Sequence, residues 1–84
     1  MNVYFITFRS VTFAQRGERT LRHSGIFSQL QRTPRWMEEQ GCGYCLVVGA
    51  EEIVSAVKIL KQSNIQYRKI YYRRIILIKY GPLV

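Results

Sequence analysis

Apolar and polar positions along this chain switch between a two-residue and a helical period. From Val3 to Phe8, Val3, Phe5 and Thr7 alternate with Tyr4, Ile6 and Phe8, so both faces are apolar or β-branched and a central strand is predicted. Ser10 can cap a helix through its hydroxyl. Ala14, Gly17 and Leu21 then recur on one stripe, Arg16, Arg19 and Arg22 fall on the polar side, and Gly25 suits the left-handed residue that ends the helix. His23 sits in the last turn, where attraction to the helix dipole accounts for it.

Ile26 to Thr33 reads as a second strand with Ile26 and Leu30 inward, stopped by Pro34, which has no amide hydrogen for a ladder. Trp36-Met37-Glu38-Glu39-Gln40 fits one helical turn in the loop before Gly41. Tyr44 to Val48 is a third strand whose continuous apolar character implies burial. Glu51 and Glu52 place negative charge in the first turn of a second helix. Its inner face is Ile53, Ala56, Val57 and Leu60, with Lys58 and Lys61 towards its C-terminal end. From Ile65 to Tyr80 runs a stretch of strand formers longer than the usual five or six residues, which reads as two strands or one bent strand.

The order β-α-β-β-α-β predicts an α+β domain of the ferredoxin-like, split βαβ kind, with two helices on one face of an antiparallel sheet. A single domain is expected: residues 1–72 form its body, and residues 73–84 are a basic and apolar extension that can add a strand, a dimer contact or a partner site. A chain of 84 residues has a thin core, so a homodimer would be a natural supplement.

The formal net charge is +8, from nine arginines and four lysines against five glutamates and no aspartate. Such a surface attracts polyanions and acidic proteins without naming either. No apolar run approaches the roughly 20 residues of a membrane span, so no membrane partner is expected. Met1-Asn2 lacks a positive leader and Val3 to Ile6 is too short for a secretory signal, so the expected location is the cytoplasm. No carboxylate pair, nucleophile–base set or phosphate-binding loop is visible, and two cysteines with one distant histidine fall short of a zinc site. The expectation is a protein with no metal and no cofactor that is not a stand-alone enzyme.

The chemistry therefore narrows to Gly41-Cys42-Gly43-Tyr44-Cys45. In an extended strand the two cysteine Cα atoms would stand about 10 Å apart, beyond a disulfide. A turn at Gly41-Cys42-Gly43 would instead expose Cys42 at the loop mouth while Cys45 continues into the strand. Arg32 and Arg35 across the loop would lower the pKa of Cys42 and favour its thiolate. Cys45 is left as a resolving thiol or a small buried hydrophobe.

The opening strand Tyr4-Phe5-Ile6-Thr7-Phe8, the Pro34-Arg35 that follows strand two and the Cys42-Gly43 that leads into strand three resemble a small bacterial family of selenium/sulfur carrier-like proteins. The similarity covers about residues 3 to 72, and the spacing from Thr33-Pro34-Arg35 to Gly41-Cys42-Gly43 is its most specific part. What the resemblance implies is that Cys42 carries sulfur or selenium as a persulfide or selenosulfide, with Arg35 stabilising its thiolate. Donor and acceptor proteins would then be its partners. The second cysteine and the tail from Arg73 to Val84 depart from the pattern, and the Cys-Pro-x-Pro loop of established sulfur-transfer carriers is absent.

Two other readings use the same residues. Ferredoxin-like RNA-binding domains stack bases on aromatics of their central strands, where Tyr4 and Tyr44 would stand. However, Cys42 replaces the basic residue and Leu46 the second aromatic that such domains place near strand three. The third reading is a dimerisation module with inert cysteines, pairing through the open sheet face or the edge from Tyr71 to Ile78.

Overall fold

β1 (Asn2–Phe8) lies inside the sheet because both its flanks are paired: with β3 (Tyr44–Gly49) on one side and β4 (Ile70–Arg74) on the other. β2 (Gln29–Arg32) adds to the far side of β3, giving the order β2-β3-β1-β4 with every pairing antiparallel. α1 (Val11–His23) follows β1 and α2 (Ile53–Gln62) follows β3. This is a computed structural model that describes residues 2–37 and 43–74. Two helices on a four-stranded antiparallel sheet in this order make the ferredoxin-like fold that the periodicities predict.

The alternation of the strands sorts side chains between two cores. Ile6, Phe8, Leu46 and Val48 face the helices and meet Ala14, Leu21, Ala56 and Leu60, all with almost no exposure. Phe5 and Cys45 face the other way and form a small second cluster with Val3, Val47 and Tyr71. Gly17 lets α1 lie close to the sheet: a Cβ there would stand 3.1 Å from Phe8 Cζ and 3.2 Å from Leu46 Cδ1. Ser10 caps α1, its Oγ accepting from the Phe13 amide at 3.4 Å. Gly25 ends the helix with φ +83°, and the Ile26 amide turns back to the Leu21 carbonyl at 2.9 Å.

Three expectations are corrected. The second strand begins at Gln29 rather than Ile26, because Ile26 spends its amide on the end of α1 while its side chain still enters the main core. Glu52 is the N-cap of α2, not part of its first turn, and its side chain makes no capping bond. The stretch from Ile65 does not start as strand. The Arg68 amide donates to the Thr7 carbonyl at 2.7 Å and the Lys69 amide to Thr7 Oγ1 at 3.0 Å, so two residues oppose one in a bulge-like kink, and regular pairing begins at Ile70. β4 continues through Arg73 and Arg74; the expected strand residues 75–80 and the rest of the tail lie outside the described residues.

Candidate functional site

The connection from β2 to β3 is fastened at its base. Thr33 donates its amide to the Gly43 carbonyl at 3.0 Å, extending the hairpin ladder by one rung, and Pro34 prevents the ladder from continuing on the β2 side. Gly43 is needed for this close approach: a Cβ on it would stand 3.3 Å from Thr33 Oγ1 and 3.5 Å from the Phe8 carbonyl oxygen. Beyond Pro34 the chain makes a 3-10 turn, Arg35–Met37, and the remainder of the helical turn expected over 36–40 lies outside the described residues. Gly41 and Cys42, with residues 38–40, lie outside the described residues.

Trp36 places this turn on the sheet face away from the helices. Its ring meets Phe5 edge-on, 6.1 Å between centroids, and Tyr71 likewise at 5.8 Å. The Arg73 guanidinium carbon stands 5.8 Å from the Trp36 ring centre. The aromatic anchor thus ties the loop to β1 and β4 rather than to its own hairpin. The sequence alone puts Trp36 in a turn without a partner assigned to it. Its sole signal was a large aromatic beside Pro34-Arg35, and nothing local indicates that β4 would receive it.

Cys45 is fully buried beneath this face, packed with Phe5. Its Sγ points to the Arg32 carbonyl at 4.0 Å, a long sulfur contact. Loss of solvent pushes the thiol up to about 11 from its ordinary 9.0, because the thiolate would be a charge without water around it. The Thr33 hydroxyl lies beside the sulfur and draws the pKa down by a smaller amount, although it makes no hydrogen bond of ordinary geometry and is itself buried. The setting is that of a packed, protonated thiol.

The two arginines expected around the loop are placed differently. Arg32 pairs in register with Tyr44 and its guanidinium stands over that ring, 5.9 Å from the centroid, on the helix side of the sheet. Arg35 is exposed in the 3-10 turn next to Trp36, and Pro34 is half-buried. Tyr44 packs against the main core, and Tyr4 shares the Ile6 face and contacts Tyr72 at 5.0 Å. Neither tyrosine lies on the open face, so the base-stacking platform expected from Tyr4 and Tyr44 is not formed. Among the described residues no group of histidine, cysteine and acidic side chains is arranged to hold a metal, and no helix is long and apolar enough to cross a membrane.

These features define a ferredoxin-like domain in which the Trp36 turn, the part of the β2–β3 connection that follows Pro34, rests on the open sheet face. The family model described as "Putative Se/S carrier protein-like" matches residues 3–72, most of the chain, and the protein belongs to that family. The match spans everything from β1 to the middle of β4 and stops before Arg73. No curated protein matches the chain.

Proposed function

We propose that this domain carries sulfur or selenium on Cys42, handing it from a donor protein to an acceptor protein. Membership of the carrier family is the observation that supports this most, and the burial of Cys45 supports giving the role to Cys42 rather than to its neighbour. In the loading step the Cys42 thiolate attacks the outer sulfur of a donor persulfide. A new S–S bond forms on Cys42, the donor's S–S bond breaks, and the donor leaves as a thiolate, so no external oxidant or reductant is consumed. Unloading repeats the exchange on the acceptor. A selenium atom would travel by the same bond exchange as a selenosulfide.

Arg35, with Arg32 and the Pro34, Gly41 and Gly43 backbone, is assigned to shaping the thiolate's surroundings. Cys45 is assigned to packing, since its burial keeps solvent and partners away and, with the thiol pushed up to about 11, leaves almost no thiolate, the nucleophilic form, at neutral pH. The domain works in the cytoplasm as a carrier without turnover of its own.

The test is loading with a low-molecular-weight persulfide, read by intact-mass and peptide mass spectrometry. The wild type and Cys45→Ala should gain the mass of one sulfur atom on the peptide holding residue 42, and Cys42→Ser should gain none. Loading of Cys42→Ser equal to wild type would refute the assignment.

A further inference from the structure

The open face holds a combination the carrier role does not require: a tryptophan more than half exposed, at 55%, set between arginines. Trp36 stands upright on Phe5 and Tyr71, with interplanar angles of 78° and 84°, so its rings are held in place by edge contacts while ring surface remains open to solvent. Arg73 lies over the ring and Arg35 precedes it in the chain, both exposed. Lys69, also exposed, lies in the kink that precedes β4 on the same edge of the sheet. The 3-10 turn and β4 carry no acidic residue, while Glu38 and Glu39 follow the turn in the sequence and lie outside the described residues.

We infer that Trp36, Arg73, Arg35 and Lys69 form a binding surface for single-stranded nucleic acid, with Trp36 as the base-stacking platform. A ring already fixed in orientation loses little freedom when a base stacks on it, and an arginine plane beside it can stack on a base or pair with phosphate. The net charge of +8 supplies the long-range attraction that a polyanion would feel. A protein partner fits less well. Protein hot spots sit at the centre of an apolar surround, whereas here Phe5 and Cys45 are buried, Val3, Val47 and Tyr71 are partly buried beside them, and an arginine lies over the exposed tryptophan ring. This surface differs from the Tyr4 and Tyr44 platform in both residues and face.

The inference is independent of thiol chemistry, so its test uses Cys42→Ser protein, and failure of one reading leaves the other intact. Fluorescence anisotropy of a labelled oligo(U) is titrated with protein over a range of salt. The expected result is binding that weakens linearly with the logarithm of salt concentration. Trp36→Ala should lose about tenfold or more in affinity while Trp36→Phe retains most of it, the loss expected for one stacked base. Arg73→Gln, a change at an exposed position, should lower the salt slope by about one. In the unmutated background, quenching of Trp36, the only tryptophan, reports contact directly.

Binding with equal affinity by Trp36→Ala that has kept its far-ultraviolet dichroism, or displacement of the oligonucleotide by polyphosphate at equal charge, would reduce the surface to an unspecific cationic patch and overturn the inference. Displacement by polyglutamate as effective as by oligo(U) would point to an acidic protein instead and overturn it equally. Absence of binding at physiological salt would do the same.

Discussion

The sharpest consequence of the Cys45 setting is a fall in stability at alkaline pH. Below about pH 9 the thiol is protonated in both the folded and the unfolded chain, so burial carries no charge penalty. Between 9.0 and about 11 the unfolded chain releases the proton and the folded one keeps it, and stability falls as pH rises through this window. The difference of two pKa units corresponds to about 3 kcal/mol, a large share of what a small domain possesses. The assay is urea unfolding of Cys42→Ser and of Cys42→Ser with Cys45→Ala from about pH 7 to about pH 11. All other groups are common to both proteins, so the difference isolates Cys45. Removing the sulfur atom adds a packing loss that does not change with pH. The stability gap between the two proteins should therefore shrink or invert by up to about 3 kcal/mol towards high pH. A gap constant over the whole range would refute the burial argument for Cys45.

Further outcomes follow from the same contacts. Thr33→Val removes a buried hydroxyl that lacks a partner, so it should leave stability unchanged or raise it by about 1 kcal/mol, and it should push the Cys45 pKa higher still, read by the pH dependence of its alkylation. Gly17→Ala gains about 1 kcal/mol of helix propensity but sets a Cβ 3.1 Å from Phe8, 3.2 Å from Leu46 and 3.4 Å from Leu60; overpacking of about 1–3 kcal/mol should leave a net loss in urea midpoint. Ser10→Ala should cost about 0.5–1 kcal/mol, at the low end for a cap because the bond to Phe13 is long and exposed.

What could be read in the sequence was whatever repeats over several residues. The stripe of Ala14, Gly17 and Leu21 identified the inner face of α1, and the order of periods identified the fold, because neither depends on distant partners. Boundaries failed where one amide was claimed from elsewhere: Ile26 by the end of α1, and Arg68 and Lys69 by Thr7. At the site, the packing role of Cys45 was one of two alternatives visible from its apolar neighbours. The anchoring of Trp36 was invisible because it depends on Tyr71 and Arg73, thirty-odd positions away.

Strand parity then links the site to the rest of the fold. Because Cys45 pairs in register with Thr7 and Gln31 and lies next to Leu46 and Tyr44, which face the helices, it must face the open side with Phe5, and only something lying on that side can keep it dry. Among the described residues Phe5, Val3, Val47 and Tyr71 pack around it and the Thr33 hydroxyl lies beside the sulfur, while the Trp36 turn rests on Phe5 and Tyr71. The burial of the second thiol and the seating of the Trp36 turn thus share two residues, Phe5 and Tyr71. If the Trp36 turn helps to seal Phe5 and Tyr71 over the sulfur, Trp36→Ala should raise the alkylation rate of Cys45 in Cys42→Ser protein, and an unchanged rate would show that the strand residues alone keep it dry.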